Sequence, residues 1–246
     1  MQLNNRYNKV FGRIPILGMI HLGGTDPVKR ALEEIAIFEE EGVDGAIIEN
    51  YHGSVEDVIK TLQETSRINP KVVIGVNILP NEFDQAFSLA HEYGGSFIQL
   101  DYVAGKYSSG ELDFRAYSSC KEKYSEIIVL GGVWPKYYYP VKSSNLEKDL
   151  QDGRSRAEAI VVTGAGTGKE TPLSKIKKFR EFIGDHPLVV GSGLTIDNAY
   201  EQLLISNGAI VGTYFKKDWN TQNRMDKTRV RDFMSIVKKA RQYQEK

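Results

Sequence analysis

The chain has 246 residues, 41% of them hydrophobic and 26% charged, which is enough apolar material for one large globular core. Lys plus Arg and Asp plus Glu each number 32, so the net charge is zero; with no basic run in view, a nucleic-acid partner is not expected. No stretch approaches the roughly eighteen apolar residues of a membrane span, and the opening MQLNNRYNKVFGR lacks the apolar centre of a signal peptide. These features lead to the expectation of a cytoplasmic protein with no integral membrane segment.

Eight short apolar runs recur along the chain. They are IPILGMI from Ile14, GAIIE from Gly45, VVIGVN from Val72, FIQLD from Phe97, IIVLGG from Ile127, AIVVTG from Ala159, LVVGSG from Leu188 and AIVGT from Ala209. Their spacing of about twenty to thirty residues suits one βα unit each, and continuous rather than alternating hydrophobicity suits parallel strands covered on both faces. Helical patterns lie between them. DPVKRALEEIAIFEEEG pairs an N-cap Asp26 and a first-turn Pro27 with a terminal Gly42. SVEDVIKTLQETSRI opens with Ser54 and Asp57 in capping-box spacing. Cys120, the single cysteine, sits in an amphipathic pattern and is expected to pack there, since it has no disulfide partner. TPLSKIKKFREFIG is predicted as a helix from Thr171 and Pro172 to Gly184, TIDNAYEQLLI as one from Thr195, and DKTRVRDFMSIVKKARQYQ as the closing helix. Eight alternating units with no linker predict an α/β fold, a single (β/α)8 TIM barrel spanning residues 1–246 as one domain.

In such barrels the chemistry sits where strands run into the following loops. The last three of these loops are glycine-rich: Thr163-Gly164-Ala165-Gly166-Thr167-Gly168-Lys169, Gly191-Ser192-Gly193 and Gly212-Thr213. Glycine lets backbone N–H groups approach an anion closely, so Gly164, Gly166, Gly168, Gly191, Ser192, Gly193, Gly212 and Thr213 are predicted to grip the phosphate of a small phosphorylated ligand. The bland alternative is a set of tight turns. Lys169 and Lys216 are candidates to neutralise phosphate charge or to be simply solvated. Neither a Walker A loop nor a dinucleotide fingerprint fits, because Thr163 and Lys169 stand where those motifs need glycine.

The other strand ends carry polar groups. Glu49, Asp101 and Lys136 are the candidate catalytic residues: carboxylates closing apolar strands can serve as acid and base, and Lys136 can pair with an anion or form a Schiff base. Glu49 and Asp101 lie on strands of like parity and are expected to face one another across the mouth. His21, Asn50, Asn77 and Trp134 are candidate substrate-binding residues, each equally readable as a rim or core residue. No metal site and no cofactor are expected. The run Trp134, Tyr137, Tyr138, Tyr139 reads as a stacking platform, a lid or a subunit contact, and the last of these leads to the expectation of a homo-oligomer, most simply a dimer.

VVTGAGTGKETPLSKIKKFREFIGDHPLVVGSGLTIDNAYEQL and the later GAIVGTYFKKD, with PILGMIHLGG and GVDGAIIEN near the start, resemble the BtpA/SgcQ family. The resemblance implies a TIM barrel and associates one branch with photosystem I biogenesis and another with sugar phosphotransferase genes. The middle departs from the family pattern at Asn77-Ile78-Leu79-Pro80-Asn81-Glu82, at Asp101-Tyr102-Val103-Ala104-Gly105 and at Pro135-Lys136-Tyr137. Two functions follow as expectations: an isomerase, epimerase or aldolase-type enzyme moving a proton beside the carbonyl of a phosphorylated sugar, or a non-catalytic scaffold that retains the phosphate site.

Overall fold

The computed structural model describes residues 2–243. Eight parallel strands close into a barrel in sequence order: β1 (Ile16–Ile20), β2 (Gly45–Glu49), β3 (Val73–Asn77), β4 (Phe97–Ala104), β5 (Ile128–Val133), β6 (Ala159–Val162), β7 (Leu188–Val190) and β8 (Gly208–Val211). Each coincides with one of the apolar runs, because a strand covered by helices outside and by barrel core inside has no polar face to alternate. Every second residue points inward. Leu17, Met19, Ile47, Phe97, Ile128, Leu130, Ala159, Val161, Val189 and Ile210 pack as an inner cluster, distinct from the larger one between strands and helices.

The helical signals hold in most places. Helix α2 (Pro27–Glu41) starts at Asp26, whose side chain accepts from the Lys29 N–H, and stops at Gly42 with φ 76°. Helix α3 (Val55–Ile68) has the full Ser54–Asp57 capping box. Helices α4 (Phe83–Tyr93), α5 (Phe114–Lys123), α6 (Leu146–Arg156), α7 (Leu173–Ile183), α8 (Ala199–Leu203) and α9 (Lys227–Tyr243) complete the outer layer. Two differences stand out. The helix expected from Thr195 begins only at Ala199, because the Asn198 side chain accepts from the Thr195 N–H and holds that stretch as a turn. An unforeseen helix, α1 (Gln2–Phe11), closes the N-terminal end of the barrel. Tyr7 is fully buried and donates to the Asn207 carbonyl at 3.2 Å, and Phe11 meets Phe97 edge-on at 5.0 Å. With that end plugged by aromatic rings, the C-terminal mouth is where a cavity can form.

Candidate functional site

The inward alternation carries on past the last apolar layer. Above it come His21, Glu49, Asn77, Gln99, Gly132, Thr163, Gly191 and Gly212, the next inward positions of their strands or the residues that follow them. Most of this layer opens into a cavity of about 400 Å³, at the small end of the range for small-molecule sites.

Glu49 and Asp101 both line this cavity. Glu49 ends β2 in register with Asn77 and is 7% exposed, and its Oε1 accepts from Asn77 Nδ2 at 2.7 Å. Burial pushes its carboxyl up to about 7; the Lys136 cation pulls the other way and the Asp101 charge adds to the rise. Asp101 lies inside β4 rather than at its end, within an irregularity of the β4–β5 register between Leu100 and Ala104. Its carbonyl occupies the place where a side chain on Gly132 would be, 1.8 Å from an ideal Cβ. Only glycine admits the bulge, and the bulge re-aims Asp101 into the mouth. Burial raises the Asp101 carboxyl above its ordinary range, against the opposing pull of the Tyr138 hydrogen bond and Lys136.

Lys136 also reaches the cavity, its Nζ 3.2 Å from Thr167 Oγ1 and its N–H donating to Thr163 Oγ1 at 2.8 Å. His21 is 3% exposed and lines the same space. Burial first, then the charges of Lys216, His52, Lys136 and Arg30, hold its pKa well below the ordinary value, so it is a neutral imidazole at pH 7. The four expected groups His21, Glu49, Asp101 and Lys136 therefore meet.

Others are placed differently. Asn77 is fully buried beneath the cavity and acts through Glu49 and Gln99 rather than by lining the space. Asn50 turns away, its Oδ1 accepting from the Leu79 N–H at 2.8 Å, so it shapes the β3 loop. Trp134 leaves the mouth by a left-handed turn (φ 48°), and its Nε1 donates to Asp149 Oδ2 at 2.8 Å. Lys216 is 1% exposed and spent on Glu34, 2.5 Å away, while Lys169 is exposed and away from the cavity. The aromatic run is used largely within the chain. Tyr138 bonds to Pro80 O and Asp101, Tyr137 accepts from the Thr167 N–H at 2.8 Å, and both rings line the cavity. Tyr139, 74% exposed, is the part that faces out.

The glycine loops divide into two roles. Gly168, Gly191, Ser192, Gly193, Gly212 and Thr213 line the cavity opposite Glu49. Among the described residues, the N–H groups of Gly168, Gly193, Gly212 and Thr213 have no protein acceptor. Gly164 and Gly166 lie outside it. The Gly164 N–H donates to Ser192 Oγ at 2.8 Å, and a Cβ there would sit 2.4 Å from the Glu170 carbonyl, so this glycine folds the loop. Gly193 serves both purposes: φ is 69°, and a Cβ would meet the backbone of Lys169 and Glu170 at 2.3 Å.

Sequence reading missed Gln99, Thr163 and Thr167, which line the cavity. Gln99 had a signal, since it lies two residues from both Phe97 and Asp101 on one strand. No group of three His, Cys, Asp or Glu side chains converges as a metal site among the described residues, and no described helix is long and apolar enough to cross a membrane.

The model of the BtpA family matches residues 15–239. The chain belongs to this family. An uncharacterised protein from Thermococcus kodakarensis is 30% identical over 94% of this chain and 98% of its own length. The photosystem I biogenesis protein BtpA of Synechocystis is 26% identical over 91% and 88%. N-(5'-phosphoribosyl)anthranilate isomerase from Pyrococcus furiosus superposes with a TM-score of 0.62 at 17% identity, covering 92% of this chain and 99% of that one, a likeness of fold.

Proposed function

We propose that this BtpA-family barrel is an enzyme that moves a proton beside a carbonyl group of a phosphorylated sugar or similar small metabolite. The observation that carries the reading is Glu49, a buried carboxyl oriented by Asn77, open to the cavity and titrating near neutrality. A base poised near the working pH is matched to taking a proton from carbon. The carbon–hydrogen bond breaks, the proton passes to Glu49, and the electron pair moves to the carbonyl oxygen to give an enediol. Asp101, favoured in its protonated form by burial, supplies that oxygen's proton, and Lys136 stabilises the charge as it develops. The donors of Gly168, Gly193, Gly212 and Thr213, on the opposite wall, hold the phosphate, whose binding energy orients the reacting end. Isomerisation, epimerisation and aldol-type cleavage share this chemistry.

A non-catalytic biogenesis role is the competing reading, and the name of the Synechocystis relative favours it. A scaffold has no use for two carboxyls buried at one cavity, and burying them is costly. The test is a thermal-shift screen with sugar phosphates, followed by incubation of any binder in heavy water. Deuterium entering beside the carbonyl, and lost in Glu49→Gln while binding persists, supports the enzyme. Binding without exchange supports the scaffold.

A further inference from the structure

We infer that Gln99 is the donor that receives the ligand's carbonyl oxygen, and that Asn77 sets Gln99 and Glu49 together for an open-chain ligand with a carbonyl at one end and a phosphate at the other. The inference rests on the proposed function and adds to it the place and chemistry of the reacting end.

Asn77 Nδ2 lies 2.7 Å from Glu49 Oε1 and 2.9 Å from Gln99 Oε1. An ionised carboxylate only accepts, so the nitrogen end of the Asn77 amide must face Glu49. That nitrogen has a second hydrogen, directed at Gln99, and Gln99 must answer with its oxygen. Its amide orientation is thereby fixed, with Nε2 on the other side. Gln99 is nine-tenths buried and lines the cavity, and among the described residues its Nε2 has no partner. It is also absent from the buried polar atoms that lack one, so its hydrogens are open to the cavity.

Asn77 is expensive in this position. It is fully buried, and its Oδ1 has no hydrogen-bond partner among the described residues. An apolar residue would avoid that penalty but would release both neighbours. One amide thus holds a base and a neutral donor side by side, on strands that neighbour its own. A carbonyl oxygen on Gln99 Nε2 places the adjacent carbon next to Glu49, and the negative charge that grows on that oxygen falls on an oriented donor. The phosphate donors belong to the far wall, on the loops after β6, β7 and β8, so one linear ligand spans the cavity.

Aldonic acids of three to six carbons, phosphorylated at the far end, are the probes, because their carboxylate presents the oxygens of the enediol. Calorimetry at pH 6 compares them with inorganic phosphate. The expected result is one chain length binding at least about tenfold tighter than phosphate in the wild type. Gln99→Met should erase that gain while phosphate affinity stays unchanged, with a lower melting temperature because the second Asn77 hydrogen loses its acceptor. Asn77→Asp should reduce the gain and move the pH dependence of what remains upward, a shift that a purely structural loss would not give. Phosphate binding with no gain for any aldonate overturns the inference, as does a gain that survives Gln99→Met. If phosphate itself fails to bind the wild type, the phosphate reading has failed, and this inference with it.

Discussion

The Tyr138 hydroxyl lies 2.8 Å from Asp101 Oδ2, and the same oxygen lies 2.6 Å from the Pro80 carbonyl. A hydroxyl has one hydrogen and faces two acceptors here. With Asp101 ionised it must divide that hydrogen. With Asp101 protonated, the resting carboxyl donates to Tyr138, Tyr138 donates to Pro80, and every atom is satisfied until a ligand oxygen takes the carboxyl proton and Tyr138 turns its hydrogen to the carboxylate. The rise in the Asp101 pKa on burial agrees with the second arrangement. Asp101→Asn retains a donor toward Tyr138, so its melting temperature should match the wild type. Tyr138→Phe loses the bond that ties the β5 loop to Pro80, about 0.5–1.5 kcal/mol, and should melt about 1–6 °C lower. Scanning calorimetry of both variants checks this, and equal destabilisation by the two would rule out the relay.

Glu49 makes a signed prediction about pH. Below about pH 4.5 the folded and unfolded chains both hold its proton. Between there and about 7 the folded chain keeps a proton that the unfolded chain has released, so stability falls as pH rises, and above about 7 the full penalty is present. The size is on the order of 3 kcal/mol. Glu49→Gln, which can still accept from Asn77, should therefore melt several degrees above the wild type at pH 8 and at nearly the same temperature at pH 4.5. Melting curves across that range decide it. A variant destabilised at both ends would mean that the carboxylate is structural. The same exchange should abolish turnover, as expected where a site is held at a cost in stability.

The cluster beside His21 predicts unequal effects for two members of one ion pair. Glu34 accepts from Lys216 at 2.5 Å and from Arg30 at 3.3 Å, and all three are buried. Lys216→Met leaves Glu34 still paired with Arg30. Glu34→Gln leaves two buried cations without a counterion, which costs about 3–5 kcal/mol. Urea unfolding should rank Glu34→Gln well below Lys216→Met. The His21 imidazole should titrate at higher pH in Lys216→Met, read by NMR, because Lys216 is the strongest charge holding it neutral.

How much was legible beforehand follows from what each feature depends on. All eight strands could be read because hydrophobicity and spacing are local, and the caps at Asp26 and Ser54 because capping acts within one turn. Helix α1 could not be read, since its burial depends on meeting Phe97 at the far end of the barrel. Glu49, Asp101, Lys136 and His21, which line the cavity, were picked out by a single rule, that chemistry gathers at strand ends. Asn50 and Trp134 obey the same rule but do not line the cavity, because their partners Leu79 and Asp149 lie on other segments that no spacing reveals. Lys216 fails for the same reason, as its partner Glu34 is remote in the chain.

The proposed phosphate loops can be tested by substitution at Thr213. A bulky residue at Gly193 is not a clean probe, because a side chain there strikes the Lys169–Glu170 backbone at 2.3 Å and φ is positive, so the loop after β6 must move. Thr213 is cleaner: it lines the cavity, and its N–H has no protein acceptor among the described residues. Inorganic phosphate at about ten times its dissociation constant should stabilise the wild type by about 1.4 kcal/mol, a rise of about 3–6 °C in melting temperature. Thr213→Glu brings a carboxylate to the same donors and should remove that rise while leaving the ligand-free melting temperature close to wild type. Gly164→Ala should lower the ligand-free melting temperature instead, since its Cβ meets the Glu170 carbonyl rather than the ligand. A phosphate response that survives Thr213→Glu would place the anion elsewhere.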